Sequence, residues 1–185
     1  MIDRLKVWSD QEEVLARAKN VAMLILDVDG VMTDGGIIIN DLGVESKRFD
    51  VRDGHGLKML LRAGIDVALI TGRESQVVAK RAEELGINWV FQGIKNKLPC
   101  YEQLLAEKGL KSDQVGYVGD DVVDIPVLKR VGLAVAVPGA HEVVAQYAHY
   151  ITQAREGNGA VREVCELLLY ARDLWQEAMS RYTEA

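Results

Sequence analysis

The chain has 185 residues, with 49% hydrophobic residues, 27% charged residues and a formal net charge of −6. This length suits one domain with a sizeable core, so we expect a single domain over residues 1–185. The acidic balance and the absence of a basic stripe argue against nucleic acid as a partner. No apolar stretch approaches the roughly 20 residues needed to cross a bilayer, so we expect no membrane partner.

Residues 1–20 are charged and have helical spacing, unlike a secretory signal peptide. Cys100 and Cys165 lie far apart, with no CxxC pair and no histidine-rich spacing. This pattern argues against a zinc site and a disulfide framework and fits a reducing compartment. We therefore expect a cytoplasmic protein.

Apolar runs alternate with amphipathic segments, which predicts an α/β fold with a parallel sheet and helices on both faces. Runs such as VALI and GLAVAV lack polar interruptions, as expected of strands buried on both sides. The predicted strands are 21–27, 66–70, 87–91, 114–119 and 132–137. The predicted helices lie near 54–63, 74–86, 97–109, 122–131 and 141–147.

Two segments depart from this alternation. GGIIINDLGVESKRF, residues 35–49, predicts a β-hairpin that projects from the loop after the first strand. Its three consecutive isoleucines are too apolar for an isolated exposed hairpin. Near the C-terminus, a glycine-rich and mobile segment at 155–159 is expected to precede one long helix over about 160–181.

Asp27 and Asp29 directly follow the first predicted strand and precede Gly30. Open α/β sheets bind ligands at the carboxyl ends of their strands. Two carboxylates so close together repel, and burying them without compensation would cost several kcal/mol. We therefore expect a cation at this position.

Further polar groups occur at the ends of other predicted elements and should meet at the same edge of the sheet. They are Thr71, Gly72 and Arg73 after strand 66–70, Lys97 at the start of helix 97–109, and Asp120, Asp121 and Asp124 after strand 114–119.

The chemistry that uses such a set is phosphoryl transfer to a carboxylate. Asp27 and Asp120 are expected to hold Mg²⁺, which prefers oxygen ligands and lets a phosphate dianion approach an anionic nucleophile. One carboxylate of the Asp27–Asp29 pair attacks phosphorus to give an aspartyl-phosphate, and the other transfers the proton. Each motif alone also fits a turn, a cap or a solvated helix end; their joint order favours a site.

Other members of the set would bind the phosphoryl group. Thr71 and Lys97 are predicted to contact the phosphoryl oxygens, where charge is greatest in the transition state. Gly30 and Gly72 would allow backbone N–H groups to approach the phosphate without a Cβ in the way. Lys47, Arg48 and Arg52 form a local basic cluster that could attract an anionic small molecule.

Three groups of residues have weaker signals. His55 either contacts substrate or is a partly exposed histidine at a helix start. His141 and His149 are interpreted as surface residues. Asp34 and Asp53 are interpreted as turn or N-cap residues rather than as ligands.

The segments DVDG, TG, the lone lysine and GDDxxD, in this order, resemble the haloacid dehalogenase superfamily of phosphohydrolases over nearly the whole chain. The resemblance implies a Rossmann-like three-layer α/β/α core without a cap domain. It implies Asp27 as nucleophile and Asp29 as acid/base, with Mg²⁺ held by the Asp27 carboxylate, the Asp29 carbonyl and Asp120. Asp124 would support the site indirectly, and the role of Asp121 is left open.

The hairpin and the segments DVDGVMTDG, FDVRDGHGLKML, ITGR, FQGIKNKL, YVGDDVVDIPVL and GAVREVCELLL are similar to a capless subgroup of that superfamily. The similarity implies hydrolysis of 3-deoxy-D-manno-octulosonate 8-phosphate, in lipopolysaccharide precursor synthesis. A nine-carbon sialic-acid-type 9-phosphate is the alternative substrate. Arg73 is interpreted as a ligand of the substrate carboxylate, with a surface salt bridge as the other interpretation.

The subgroup resemblance also implies a homotetramer in which a neighbouring subunit covers the site and the apolar hairpins pack together. Residues 155–159 would then act as a lid. Relatives often have an arginine between the two glycines of this segment, where this chain has Asn158; whether Arg155 takes that role is left open.

A receiver domain, a signalling module, is the alternative from another class. Receivers also use an acidic group, a Thr or Ser and a Lys at strand ends. Their phosphoacceptor lies on a later strand, however, whereas this chain has carboxylates two residues apart after its first strand. A phosphomutase is a further alternative, although such enzymes usually carry a cap domain.

Overall fold

The computed structural model describes Trp8 and residues 11–184, and its centre is a six-stranded parallel sheet. The strands are β1 (Met23–Leu26), β4 (Asp66–Ile70), β5 (Trp89–Phe91), β6 (Val115–Gly119), β7 (Leu133–Ala136) and β8 (Tyr150–Ile151). Their spatial order is β5-β4-β1-β6-β7-β8. The five predicted strands are confirmed within two residues at each end, while the two-residue β8 was not predicted.

Helices cover both faces of the sheet. They are α1 (Glu12–Asn20), α2 (Val51–Arg62), α3 (Gln76–Leu85), α4 (Lys97–Lys108), α5 (Ile125–Leu128), α6 (Glu142–Ala145), α7 (Ala160–Ala171) and α8 (Trp175–Thr183). Short 3₁₀ turns occupy Ser112–Gln114 and Val122–Asp124. Residues 122–124 of the predicted helix 122–131 form the second 3₁₀ turn. Within that prediction only α5 is α-helical.

The hydrophobic core lies in two layers separated by the sheet. All four residues of β1 are fully buried. Leu24 and Leu26 pack into one layer, whereas Met23 and Ile25 pack into the other, as the period of two of a strand requires. This arrangement confirms the predicted three-layer α/β/α architecture, and no cap domain is evident among the described residues.

The predicted hairpin is present as β2 (Ile38–Ile39) paired antiparallel with β3 (Glu45–Ser46). Asn40 Oδ1 shapes the turn by accepting from the backbone N–H groups of Leu42 (3.0 Å) and Val44 (2.9 Å). Five apolar residues of the hairpin are more than half exposed in the single chain: Ile37, Ile38, Ile39, Leu42 and Val44.

The prediction of one helix over about 160–181 is wrong. The chain breaks between α7 and α8, where Asp173 adopts a left-handed φ of 59°. Leu174, Trp175 and Ala178 still pack against the core. Because the apolar spacing continues across the break, the sequence pattern does not indicate that the helix ends there.

The glycine-rich segment 155–159 was expected to be mobile, but in the structure it packs against the loop that follows β1. The Gly157 N–H donates to the Val31 carbonyl at 3.0 Å. Gly157 has a φ of +58°, and a Cβ there would lie 2.5 Å from the Thr33 carbonyl carbon. These glycines therefore permit close backbone packing. None of the described helices combines the length and apolar character that a membrane crossing requires.

Candidate active site

Asp27 lies at the carboxyl end of the central strand β1, where its N–H donates to the Val118 carbonyl at 3.0 Å. The side chain is buried, and its Oδ1 accepts from the Val28 N–H at 2.7 Å. The Lys97 ammonium lies 3.0 Å from the same oxygen. Burial raises the pKa of Asp27 above its ordinary value, with a further contribution from the Asp124 charge, although Lys97 opposes both.

Asp120 stands beside Asp27 at the end of β6. Carboxylate oxygens of Asp27, Asp120 and Asp124 lie within 4.8 Å of one another. Burial and then the charges of Asp27 and Asp124 raise the pKa of Asp120. Its Oδ1 is buried and has no hydrogen-bond partner among the described residues. A buried acceptor without a donor, in a cluster of repelling carboxylates, indicates a place for a cation.

Asp124 is fully buried, and both of its oxygens are already occupied. Oδ1 accepts from the Lys97 ammonium at 2.7 Å and from the Tyr117 hydroxyl at 2.6 Å. Oδ2 accepts from the backbone N–H groups of Asp120 at 3.0 Å and Asp121 at 3.2 Å. Asp124 therefore orients Lys97 and the Asp120 loop, which supports its predicted indirect role.

Lys97 begins α4 and has a side chain that is only 1% exposed. Burial alone would lower the pKa of its ammonium, but the charges of Asp27 and Asp124 outweigh burial and raise that pKa. Tyr117 was not predicted to belong to the site. Its hydroxyl reaches Asp124 from inside β6, and its apolar neighbours in that strand gave no sign of a polar role.

The other predicted phosphate-binding residues occupy loops at the same edge. Thr71 follows β4 and is buried, and its backbone N–H donates to the Phe91 carbonyl at 2.9 Å. Gly72 is next to it, where an added Cβ would find only ordinary contact with the Ile94 carbonyl at 3.9 Å. Gly30, with a φ of +85°, lies directly against Asp120.

Asp29 faces the hairpin rather than the acidic cluster. Its Oδ1 accepts from the Lys47 ammonium, and its Oδ2 lies 3.6 Å from Arg73 Nε. Arg73 also donates to Glu45 Oε1 at 2.9 Å. In the single chain Arg73 therefore forms salt bridges with Asp29 and Glu45, which agrees with the alternative interpretation of this residue as a salt-bridge partner. Lys47 appeared in the sequence only as part of a basic cluster, and Glu45 was missed.

The structure does not place His55 with these groups. Its ring nitrogens lie 2.8 Å from the Tyr182 hydroxyl and 3.0 Å from an Arg162 guanidinium nitrogen. Burial and neighbouring cations, Arg162 foremost, lower the pKa of His55. Asp121 is exposed and caps the 3₁₀ turn by accepting from the Val122 N–H at 2.7 Å.

The remaining weaker predictions divide between confirmed and corrected ones. Asp34 is a turn residue that accepts from the Gly36 N–H at 3.0 Å. Asp53 caps a helix other than its own, because its buried carboxylate accepts from backbone N–H groups at the start of α7. His141 is exposed and caps α6. His149 is only half-exposed, since its Nδ1 accepts from the Ala134 N–H at 2.9 Å.

The donor set fits magnesium. Asp27 and Asp120 present hard carboxylate oxygens, and one of these, the buried Asp120 Oδ1, has no donor in the part of the chain that the structure describes. Mg²⁺ prefers such oxygens and usually binds through one or two carboxylates together with water and phosphate. The two carboxylates would hold the ion, whereas Asp124 already accepts four hydrogen bonds.

Comparison with known proteins agrees with this geometry. The model of the haloacid dehalogenase-like hydrolase family matches residues 90–164. The chain is 49% identical over 162 residues to the 3-deoxy-D-manno-octulosonate 8-phosphate phosphatase KdsC of Yersinia pestis, covering 88% of this chain and 87% of the relative. It is 47% identical over 166 residues to KdsC of Escherichia coli K12, covering 90% and 88%.

A crystal structure of 3-deoxy-D-manno-octulosonate 8-phosphate phosphatase from Moraxella catarrhalis, in complex with magnesium ion, phosphate ion and KDO, superimposes with a TM-score of 0.91. It is 40% identical, and the match covers 92% of this chain and 98% of that one. The receiver-domain alternative is thereby set aside. The chain belongs to the haloacid dehalogenase-like hydrolases, in the family of the 3-deoxy-D-manno-octulosonate 8-phosphate phosphatases.

Proposed function

We propose that this enzyme hydrolyses 3-deoxy-D-manno-octulosonate 8-phosphate to the free sugar acid and phosphate, in lipopolysaccharide precursor synthesis, with Mg²⁺ as cofactor. The observation that carries the proposal is the position of Asp27, a buried carboxylate that lies 3.0 Å from the Lys97 ammonium. It clusters with Asp120, whose Oδ1 has no hydrogen-bond partner among the described residues. The identity of 47–49% to relatives with this activity supports the substrate.

In the first step a carboxylate oxygen of Asp27 attacks phosphorus, and the bond between phosphorus and the ester oxygen breaks. Asp29, which must carry a proton at this point, donates it to the departing alkoxide and is left as a carboxylate. In the second step water attacks the aspartyl-phosphate, Asp29 takes its proton, and phosphate leaves with Asp27 restored. When bound, magnesium would neutralise the carboxylates and phosphoryl oxygens so that the two anions can meet.

Lys97 and Thr71 contribute to phosphate binding in this mechanism. The Lys97 ammonium is fixed by Asp124 and faces Asp27, so its charge is in place before the substrate arrives. The Thr71 hydroxyl and the Gly72 and Gly30 N–H groups would bind the remaining oxygens. Asp121 and His55 make other contacts: Asp121 caps the 3₁₀ turn, and His55 contacts Tyr182 and Arg162.

Arg73 would bind the substrate carboxylate by exchanging its present partner, Glu45, for the sugar acid. Its side chain is 44% exposed, and its Nε lies 3.6 Å from Asp29 Oδ2, beside the residue that transfers the proton. An Arg73→Met variant should raise KM for the sugar acid and leave KM for a simple alkyl phosphate within about twofold. An equal rise for both substrates would contradict this role.

We also propose a cytoplasmic homotetramer in which the hairpins pack together. The support is the exposure of Ile38 (56%), Ile39 (57%) and Leu42 (87%), which form an apolar surface on an otherwise ordinary chain. Sedimentation equilibrium should give a mass near four times 20.5 kDa. A monomer across the accessible concentration range would contradict the assembly.

The substrate is tested by measuring phosphate release with Mg²⁺ from octulosonate 8-phosphate, nonulosonate 9-phosphates and simple hexose phosphates. Octulosonate 8-phosphate should give the highest kcat/KM, and Asp27→Asn should abolish activity on every substrate. Asp113→Asn is the matched control, because Asp113 is exposed and precedes β6 at the opposite edge of the sheet. Equal turnover of hexose phosphates would overturn the substrate, and an active Asp27→Asn variant would overturn the mechanism.

A further inference from the structure

Lys47 is a buried cation on an exposed hairpin. Its side chain is only 1% exposed, whereas Ile38 and Ile39 of the same hairpin are more than half exposed. A buried ammonium without partners would cost several kcal/mol, so its position needs compensation. The compensation comes from two carboxylates, since Nζ donates to Asp29 Oδ1 and lies 3.4 Å from Glu45 Oε1.

This contact accounts for the direction of the Asp29 side chain. The Asp29 carboxylate is outside the group formed by Asp27, Asp120 and Asp124 and faces the hairpin instead. Arg73 also lies on that side, but at 3.6 Å and with a side chain that is 44% exposed. Exposed ion pairs contribute little, so Lys47 is the cation that holds Asp29.

Glu45 holds Lys47 in place by joining the hairpin to the loop that precedes α3. One Glu45 oxygen accepts from the Ser75 hydroxyl, and the other accepts from Arg73 at 2.9 Å. Burial of Ser75 makes this an anchored contact rather than a mobile surface pair. The hairpin thus carries a fixed ammonium to the residue that transfers the proton.

We propose that Lys47 is a positioning residue for proton transfer, which holds the Asp29 carboxylate away from Asp27 and directs it toward the leaving-group oxygen. This inference rests on the proposed function, because Asp29 acts there as the acid. It predicts a defect that depends on the leaving group. An alkoxide needs a proton as it departs, whereas 4-nitrophenolate leaves without one.

The test compares Lys47→Met, Lys47→Gln and Lys47→Arg, with Arg48→Met as the matched control. Arg48 is the next residue of the hairpin and is 68% exposed, and among the described residues its ion pair is with the exposed Asp34 at 3.2 Å. The measurements are kcat and KM for octulosonate 8-phosphate and the first-turnover release of 4-nitrophenolate from 4-nitrophenyl phosphate. Melting temperatures of all four variants are measured alongside.

Lys47→Met and Lys47→Gln should lower kcat for the sugar phosphate by at least about tenfold with KM within about twofold. Their first-turnover 4-nitrophenolate release should change by less than about threefold, and Lys47→Arg should recover most of kcat. Arg48→Met should stay within about twofold on both substrates. Equal losses on both substrates would overturn the proposal in favour of a structural role. A rise in KM alone, or no loss in either variant, would overturn it as well.

Failure of the proposed function can be separated from failure of this inference. If the wild-type enzyme does not hydrolyse octulosonate 8-phosphate but does hydrolyse another alkyl phosphate, the proposed substrate is wrong. The comparison between that alkyl ester and the nitrophenyl ester then still tests Lys47.

Discussion

Gly30 and Asp120 are packed so closely that a Cβ on Gly30 would lie 2.0 Å from Asp120 Oδ2. Gly30 also has a φ of +85°, a conformation that other residues adopt at a cost of about 1–2 kcal/mol. The glycine of the DVDG motif is therefore required by the neighbouring carboxylate, in addition to any contact with phosphate.

The first prediction concerns Gly30→Ala. The methyl group would displace Asp120 from its place beside Asp27, so we expect at least about a tenfold loss of Mg²⁺ affinity and about 1–3 kcal/mol of destabilisation. Titration with Mn²⁺ followed by electron paramagnetic resonance measures binding, and urea unfolding measures stability. Gly72→Ala is the control for stability, since its Cβ would meet nothing closer than 3.9 Å. Unchanged metal affinity in Gly30→Ala would refute the steric argument.

The second prediction concerns the pH dependence of metal binding. Burial, with added repulsion from Asp124, raises the pKa of both Asp27 and Asp120 in the metal-free protein. Protons must leave these groups before a cation binds, so affinity should rise with pH, by up to about tenfold per unit for each proton displaced. Metal titrations between about pH 5.5 and about pH 8.5 should show this slope. A flat profile would mean that both carboxylates are already ionised.

The third prediction concerns Lys97→Met. Removing the ammonium leaves Asp27 and Asp124 as buried charges without a cation, so we expect about 3–5 kcal/mol of destabilisation without metal. Phosphatase activity should fall by at least about 100-fold because the phosphate loses its cationic partner. Unfolding in urea with a chelator present gives the stability difference.

Lys108→Met is the matched control for this prediction. Lys108 is the last residue of the same helix α4, and its ion pair with Asp66 is partly exposed. Its loss should cost less than about 1 kcal/mol. Similar losses in the two variants would show that burial of the Lys97 pair has no special importance.

The fourth prediction concerns Asp53. Burial raises the pKa of this carboxyl from 3.8 to about 6, against the backbone N–H groups of Arg162 (2.7 Å) and Gly159 (3.2 Å), which favour the ionised form. Between about pH 4 and about pH 6 the folded state therefore holds a proton that the unfolded chain has lost. The protonated Asp53 carboxyl contributes about 3 kcal/mol to the stability of the folded state below about pH 4. This contribution is lost as the pH rises through about 6.

Asp53→Asn removes this titration. The loss of unfolding free energy between pH 4 and pH 7 should be smaller than in wild type by about 2 kcal/mol, because part of the titration lies outside this interval. Chemical unfolding at a series of pH values measures it, and Asp66→Asn, at a partly exposed position, is the control. Parallel profiles for Asp53→Asn and wild type would place the proton elsewhere.

Much of the candidate site could be predicted because its parts are local. Asp27, Thr71 and Asp120 each follow a strand whose apolar run marks it, and parallel strands bring their carboxyl ends to one edge. Lys97 could be predicted in the same way from its place at a helix start. The β8 strand could not, because its two residues offer no periodicity.

Contacts between segments that are distant in the sequence could not be predicted from the hydrophobic pattern. Tyr117 has the apolar neighbours of a core strand, and only the packed fold shows its hydroxyl 2.6 Å from Asp124. The break at Asp173 was concealed by apolar spacing that continues on both sides of it. Asp53 had the pattern of a local cap, yet its partners lie more than 100 residues away.

The amino-acid sequence by itself determined the order of strands and helices and the carboxylates that end the central strands. Those features follow from periodicities of two and 3.6 residues and from residue types that act over a few positions. Only the tertiary structure decided that Lys47 meets Asp29 and that Asp53 holds the start of α7. Such contacts depend on where a hairpin or helix is finally packed, and that is set by the burial of the whole core rather than by neighbouring residues.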